Sequence, residues 1–158
     1  QSAGWLKELE KPVHVPETEE YGISSFVFER ARPFHPSRLM DWLEDWPEEV
    51  VRAKGIMWVA TRNDIGHSIS QAGPSIQFGP SGYWLAALPK EEQEAYLRED
   101  PEMGKNWSEP FGDRINKVVF IGIDLNAGQL TASLDACLLT DAEMTSDWSR
   151  FADPLPKS

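Results

Sequence analysis

The chain has very little cysteine and no long apolar run. Its single cysteine, Cys137, excludes an intramolecular disulfide and is typical of a reducing compartment, so we predict a cytoplasmic protein. No uninterrupted apolar stretch approaches the ~20 residues of a membrane span. No basic start is followed by an apolar run, so no signal peptide is predicted. The chain begins with Gln1 rather than Met, which suggests a piece of a longer protein.

Basic residues are also scarce. The 158 residues include 15 Lys and Arg against 26 Asp and Glu, a net charge of −11. This balance repels phosphate backbones and anionic lipid surfaces, so neither nucleic acid nor a membrane is an expected partner. The charge is compatible with attraction of cations, although solubility is the simpler explanation.

The motifs of several catalytic classes are missing. No G-x-x-x-x-G-K-[ST] loop is present to bind nucleotide phosphates, and no G-x-S-x-G elbow is present for a nucleophilic serine. Residues 79–82 are glycine-rich, but Pro80 offers no N–H group, and we interpret them as a hairpin turn. We therefore predict that this chain alone is not an enzyme and does not hydrolyse GTP.

The composition that is present indicates a folded domain. Hydrophobic residues make up 41% of the chain, which includes seven tryptophans. Residues 1–20 resemble the tail of a linker, with Trp5, Leu6 and Leu9 at helical spacing and His14 near acidic residues, and residues 21–158 are predicted to form the domain.

Apolar spacing predicts the order strand, helix, several strands, strand, helix. Strands are predicted at residues 23–32, 50–62, 67–72, 75–78 and 117–125, and helices at 36–46, 90–98 and after Asn126. The first strand is predicted to be buried on both faces in its first half, and the 117–125 run is typical of a strand covered on both faces or at its middle. Residues 89–110 are otherwise predicted to be a loop anchored by Trp107. Thr140 and Glu143 have capping-box spacing.

We predict an α+β two-layer sandwich, a mostly antiparallel sheet with helices on one face in a ferredoxin-like arrangement.

Histidine and cysteine are too dispersed to predict a zinc site, which needs about four convergent ligands. Cys137 lies on the apolar face of the last long helix, where a free cysteine is usually a small hydrophobic residue. His35 is interpreted as a helix-start residue bonded to local backbone, with a partner contact or weak metal binding as the alternative. His67 follows a turn and is predicted to be exposed, which makes it the better candidate for adventitious metal.

Charged residues in two places suggest other contacts. A local positive patch would form if the two early strands were neighbours, and charges capping strand ends are the alternative. Its members are Arg30, Arg32, Arg38, Arg52, Lys54 and Arg62. Asp113 and Arg114 are interpreted first as an ion pair that holds a loop and second as a partner contact.

Three segments carry a family resemblance. Residues 21–36 (YGISSFVFERARPFHP), 52–73 (RAKGIMWVATRNDIGHSISQAG) and 118–143 (VVFIGIDLNAGQLTASLDACLLTDAE) resemble, in order, the C-terminal domain of the CobW family. His35 stands in the family's RPFHP segment, and Asp113 and Arg114 in its Gly-Asp-Arg segment. Ile69 and Ser70 replace bulkier residues, which leaves fine specificity open.

The resemblance implies an accessory domain of a metallochaperone with an upstream P-loop GTPase domain. GTP, Mg and zinc or cobalt are implied for the full-length protein, and no cofactor for this chain. The implied partners are the GTPase domain of the same polypeptide and a metalloprotein client, and the Cys-x-Cys-Cys motif of the GTPase half is absent here. Candidate partner-contact residues are Arg32, His35, Arg62, His67, Asp113 and Arg114.

Two functions from other classes are weighed beside this one. The first is a stand-alone, weak metal-binding module that uses His35, His67 and acidic side chains. The second is an enzyme acting on a small acid through the arginines, which nothing else in the sequence supports.

Overall fold

A computed structural model describes residues 22–157, and the predictions for the linker, including those for Trp5, Leu6, Leu9 and His14, lie outside these residues. The described part contains five strands and four α-helices, joined by loops and short 3₁₀ turns. The strands are β1 (Ile23–Arg30), β2 (Val50–Met57), β3 (Ile65–Ala72), β4 (Ser75–Tyr83) and β5 (Asn116–Ile123). The helices are α1 (Pro36–Glu44), α2 (Lys90–Glu99), α3 (Ala127–Asp135) and α4 (Asp141–Met144).

The strands form one antiparallel sheet in the order β1-β5-β2-β3-β4. β1 and β2, which α1 connects, run in the same direction because β5 lies between them and pairs antiparallel with both. This is the split β–α–β arrangement of ferredoxin-like folds. The predicted α+β two-layer fold is confirmed. The condition for the positive patch, that the two early strands are neighbours, is not met because β5 separates them.

One face of the sheet packs against α1 and α3 to form the main core. Phe28, Ala53 and Phe120 project from the sheet, and Leu39 and Leu134 project from the helices, all of them buried. Phe120 lies at the centre, with its ring centroid 5.3 Å from that of Phe26. Burial of apolar area on this face is the main driving force that holds the two layers together.

A second, smaller cluster covers one end of the opposite face. Ile56, Trp58 and Trp84 are buried there, and Phe111 and Trp148 pack against them from the 101–115 loop and the C-terminal segment. Phe111, rather than the predicted Trp107, is the aromatic residue that ties this loop to the cluster. The predicted helix in this region is α2, none of whose residues is buried.

Helix ends follow the local sequence signals. The Nδ1 of His35 accepts a hydrogen bond from the Ser37 N–H, and Pro36 occupies the first turn of α1. Asn126 caps α3, and Thr140 with Glu143 forms the predicted capping box on α4. These local predictions are confirmed, because a cap depends on only four neighbouring residues.

Three strand predictions need correction. The predicted 50–62 strand ends at Met57, and residues 60–62 form a 3₁₀ turn. Residues 79–82 are not a turn but part of β4, whose pairing with β3 passes through an irregularity beside Gly66. Finally, β1 is not buried on both faces, because the Val27 side chain is 46% exposed.

Gly55 permits a close contact between two strands of the sheet. A Cβ atom at this position would lie 2.3 Å from the Lys117 carbonyl oxygen and 2.5 Å from the Val118 Cα. Backbone atoms cannot move aside as a flexible side chain would, so only glycine fits between β2 and β5 here. Gly55 therefore marks a close backbone approach between β2 and β5.

Candidate functional site

The first of the predicted contact residues, Arg32, joins the end of β1 to the C-terminal part of the chain. Its guanidinium donates to the Leu139 carbonyl at 2.9 Å and to an Asp141 carboxylate oxygen at 2.7 Å. The Asp141 side chain is 94% exposed, so water screens this ion pair and reduces its contribution. Arg32 remains partly accessible, and its contact with a partner stays a prediction.

His35 has a structural role at the start of α1. Besides accepting from Ser37, its ring stacks at a tilt on Phe151, with the centroids 4.7 Å apart. Burial, together with the charge of Arg38, lowers the pKa of His35 below its usual value. The preferred interpretation from the sequence, a local backbone contact, is confirmed.

Arg62 and His67 form a half-buried cluster with Asp153. Arg62 donates from Nε and Nη2 to the two Asp153 carboxylate oxygens at 2.9 and 3.0 Å, and it also donates to the Leu155 carbonyl. Arg62 Nη1 lies 3.2 Å from His67 Nε2, and His67 Nδ1 lies 3.2 Å from the Ile65 carbonyl. The cluster ties the C-terminal segment to the sheet through a charge-assisted, bidentate pair.

His67 is not the exposed residue predicted, because only 3% of it is accessible. Since Arg62 can only donate, the neutral tautomer with the proton on Nδ1 fits both contacts. Burial, followed by the charge of Arg62, lowers the pKa of His67. Both ring nitrogens therefore have partners within the protein, and neither is available to an incoming metal ion.

Asp113 and Arg114 hold the 101–115 loop in place, but not by pairing with each other. The Asp113 carboxylate accepts hydrogen bonds from the Leu85 and Ala86 N–H groups at 2.8 and 2.9 Å. Arg114 donates to the Asn63 carbonyl at 2.6 Å and lies 3.6 Å from the Asp64 carboxylate. The loop-holding role is as expected, and the partners are different from those predicted.

The predicted positive patch is divided among ion pairs. Arg30 pairs with Asp135 at 2.9 Å, Arg38 pairs with Glu143, and Arg32 and Arg62 pair as described above. All four acidic partners come from residues 135–153. The arginines therefore connect the first half of the domain to its last segment.

Metal ligands are not assembled among residues 22–157. No group of three or more His, Cys, Asp and Glu side chains converges there to hold an ion. Cys137 is buried, and burial raises the pKa of its thiol to about 11, which opposes the thiolate form that metals bind. The donor set of the described residues does not fit zinc or cobalt, and no nucleotide loop occurs in the sequence. The resemblance assigns GTP, Mg and zinc or cobalt to the full-length protein rather than to this chain, and that assignment stays a prediction.

An acidic groove lies between α1 and α3. It has a volume of about 570 Å³, and the indole rings of Trp42 and Trp46 line it together with Cys137. Four carboxylates surround it, from Asp41, Asp45, Glu48 and Glu49. The groove is on the helical side of the domain, away from the second face of the sheet.

The second face of the sheet is largely uncovered by the described residues, and we call it the open sheet face. It is formed by Ser25 and Val27 of β1, Ile121 and Ile123 of β5, Arg52 and Lys54 of β2, and Ser70 of β3. Val27 is 46% and Ile123 is 49% exposed, and Arg52, Lys54 and Ser70 are also exposed. This surface was not predicted from the sequence, although the nearly continuous apolar run of β5 is visible there.

The structure also contains no helix in residues 22–157 that is long and apolar enough to cross a bilayer.

Comparisons with known proteins agree on one family. The model for the cobalamin synthesis protein cobW C-terminal domain matches residues 23–138. A Dictyostelium discoideum protein named zinc-regulated GTPase metalloprotein activator 1 is 42% identical over 159 residues, covering 96% of this chain and 33% of its own. A Mycobacterium tuberculosis protein named zinc chaperone Rv0106 is 33% identical over 131 residues, covering 80% of this chain and 33% of its own. The chain thus spans about a third of the length of these relatives.

The fold is also found in solved structures. The Zn(II)-bound YjiA GTPase from E. coli superposes with a TM-score of 0.54, covering 82% of this chain and 34% of that one, at 16% identity. A triple mutant of the same GTPase gives a TM-score of 0.53. At this identity the likeness establishes the fold and leaves function to other arguments.

Proposed function

The chain belongs to the CobW C-terminal domain family, and we propose that it is the accessory, client-recognising domain of a GTP-dependent metallochaperone in zinc homeostasis. The observation that carries the proposal is the match along 96% of this chain to one third of the protein named zinc-regulated GTPase metalloprotein activator 1. The chain lacks the GTPase domain, so GTP and Mg would be bound by another part of the full-length protein.

Zinc is the first candidate for the cargo. Two relatives carry zinc in their names, whereas the family description refers to cobalamin synthesis. Cobalt delivered for cobalamin is therefore the alternative. In either case the domain itself is not an enzyme under this proposal, and it works in the cytoplasm by contacting the GTPase domain of the same polypeptide and a metalloprotein client.

Nucleotide state would act on this domain through differential contacts. A ligand shifts the balance between two domain arrangements only as far as it binds one better than the other. GTP bound by the GTPase domain would favour one placement of this domain, and hydrolysis would release it. The described residues supply surfaces for such contacts rather than a reacting group.

The test compares the full-length protein with a version that ends before residue 21 of this sequence. GTP hydrolysis and zinc binding are measured on the purified proteins, and growth under zinc limitation is measured in cells that depend on either version. We expect the shortened protein to retain zinc binding and at least part of its GTP hydrolysis but to lose growth support. Full growth support from the shortened protein would contradict a client-recognising role, and rescue by cobalt but not zinc would identify the alternative cargo.

A further inference from the structure

Strand β5 has the sequence of a strand covered on both faces. Its residues Val118, Val119, Phe120, Ile121 and Ile123 are apolar almost without interruption. Strands with one solvated face usually alternate apolar and polar residues, and continuous apolar runs are typical of strands buried on both sides. The helices cover the side of Val118 and Phe120, but Ile123 on the other side is 49% exposed.

Strand β1 continues this apolar surface beside β5. Val27 pairs with Val119 and Ile23 pairs with Ile123, so these side chains form an apolar stripe across the two strands, in which Val27 and Ile123 are about half exposed and Val119 is buried. Two half-exposed apolar side chains on neighbouring strands of one face are more than the single exposed residues that are common on protein surfaces. Ser25 lies between Ile23 and Val27 on the same face, and Ser70 lies on β3.

The charge of the open sheet face differs from that of the whole chain. Arg52 and Lys54 lie on this face in a protein with a net charge of −11, and the Glu29 carboxylate of the same face lies 3.9 Å from the Lys117 ammonium group. An acidic surface would be repelled by most of the domain and attracted here, which fixes the orientation in which it docks. A suitable partner surface is therefore apolar at its centre and acidic at its margin.

We propose that the open sheet face is the docking surface for the GTPase domain of the same polypeptide, an inference that rests on the function proposed above. The relatives are about three times as long as this chain, so most of such a protein lies outside it. The described part of the chain begins at Gly22, directly before Ile23 on this face.

The size of the face favours a covalently linked partner over a second copy. Five strands spaced by about 4.8 Å make a sheet about 19 Å across. Stable complexes between separate chains bury roughly 1,200–2,000 Å², whereas contacts between domains of one chain begin near about 600 Å². A linker raises the effective concentration of the domain attached to it, so a small contact surface is sufficient for the two domains to bind each other.

The experiment is amine footprinting of the full-length protein, with Lys54 on the open sheet face and Lys90 on α2 as the two reporters. The protein is treated with an acetylating reagent, and the labelling rate of each lysine is measured by peptide mass spectrometry. The variant combines Val27→Asp and Ile123→Asp, which place two carboxylates in the apolar stripe. The control is Tyr96→Asp, because Tyr96 is 47% exposed and lies on α2, outside the sheet.

We expect Lys54 labelling to rise about tenfold in the double variant, as when a contact occupied about nine-tenths of the time is opened. Lys90 labelling should stay unchanged, and the Tyr96→Asp control should behave like the wild type. Labelling of the buried Cys137 with a thiol reagent checks folding, since it increases only if the domain unfolds. If the double variant unfolds, Arg52→Glu replaces it and should give a smaller rise in the same direction.

Two results would overturn the docking inference while leaving the proposed function intact. One is a full-length protein that hydrolyses GTP and shows the same Lys54 labelling in wild type and variants. The other is protection of Lys54 that disappears on dilution, which would identify a second copy as the occupant. A full-length protein without GTP hydrolysis would overturn the proposed function, and this inference with it.

Discussion

The two faces of the sheet differ in what completes them. On the helical face, Phe28 and Phe120 are covered by α1 and α3, and arginines of the first half pair with carboxylates of the last segment. On the open sheet face, Val27 and Ile123 have similar apolar side chains but are about half exposed. Apolar side chains on the two faces therefore have different roles: those on the helical face pack inside the domain, and those on the open sheet face are available for an external contact.

This difference separates residues that matter for folding from those that matter for assembly. Predicted contact residues such as Arg62, His67 and Asp113 are committed to intramolecular bonds, so changing them alters the domain itself. On the open sheet face, Val27 and Ile123 are about half exposed, so changing them should mainly affect what binds there. Substitutions on the two faces can test this distinction directly.

The largest expected effect comes from Phe120→Ala on the helical face. Phe120 is fully buried and packs against Phe26 and Trp42, so the change leaves a cavity and should lower the free energy of unfolding by about 3–5 kcal/mol. Urea denaturation of the domain measures the loss. Val27→Ala on the open face is the matched change and should cost below about 1 kcal/mol. Similar losses at both positions would contradict the distinction between the faces.

A smaller effect is expected from Asp153→Asn, which leaves Arg62 without its charged partner. The Arg62 and Asp153 side chains are 13% and 14% exposed, so their pair is well shielded from water. Loss of a hydrogen-bonded charge partner should cost about 2–3 kcal/mol, measured by the same denaturation. Asp141→Asn is the control, because Asp141 is exposed and its pair with Arg32 should contribute below about 1 kcal/mol. Equal losses of unfolding free energy from the two variants would show that shielding from water does not strengthen the Arg62–Asp153 pair.

Acidification should weaken the same cluster through His67. Its pKa is lowered by burial and by Arg62, so the unfolded chain takes up a proton at a higher pH than the folded domain does. The contribution of neutral His67 to the free energy of unfolding is therefore fully present well above pH 6.5. It is lost as the pH falls from 6.5 through the pKa that His67 has in the folded domain. The measurement is the difference in unfolding free energy between wild type and His67→Gln, followed from pH 7.5 to 5.5.

We expect that difference to shrink or reverse toward pH 5.5, because the variant has no imidazole to protonate at this position. His35 titrates in the same direction but is present in both proteins, so its contribution cancels. Parallel pH curves for wild type and variant would contradict a lowered pKa of His67 in the folded state.

Local signals in the sequence predicted the elements more reliably than the contacts between them. Pro36 and the Thr140–Glu143 pair specify helix starts through neighbours within four residues, and the structure agrees at both. The order of the elements and the α+β class follow from the same local periodicity. These features need no knowledge of distant partners.

The environment of His67 could not be predicted in the same way. Its burial depends on Arg62, which is held by Asp153, 91 residues further along the chain. The place of β5 between β1 and β2 is likewise a long-range pairing that no local spacing specifies. The positive patch was conditional on β1 and β2 being neighbours, a condition that the strand order does not meet, and the open sheet face was missed because exposure is a property of the assembled sheet.

The smallest expected effect on the domain, and the sharpest test of the distinction, is Ile123→Thr on the open sheet face. Threonine keeps a β-branched side chain and strand propensity, so the half-exposed position should change the free energy of unfolding of this domain by less than about 1 kcal/mol. In the full-length protein the same hydroxyl would enter an apolar contact and lose its hydrogen bond to water, which is costly when no partner replaces it. Denaturation of the domain alone and Lys54 labelling of the full-length protein measure the two effects separately. A residue that matters only for folding would affect the isolated domain as well as the longer protein. An increase in Lys54 labelling without loss of stability in the isolated domain therefore assigns Ile123 to the contact between domains. A large loss of stability in the isolated domain would instead place Ile123 in the core.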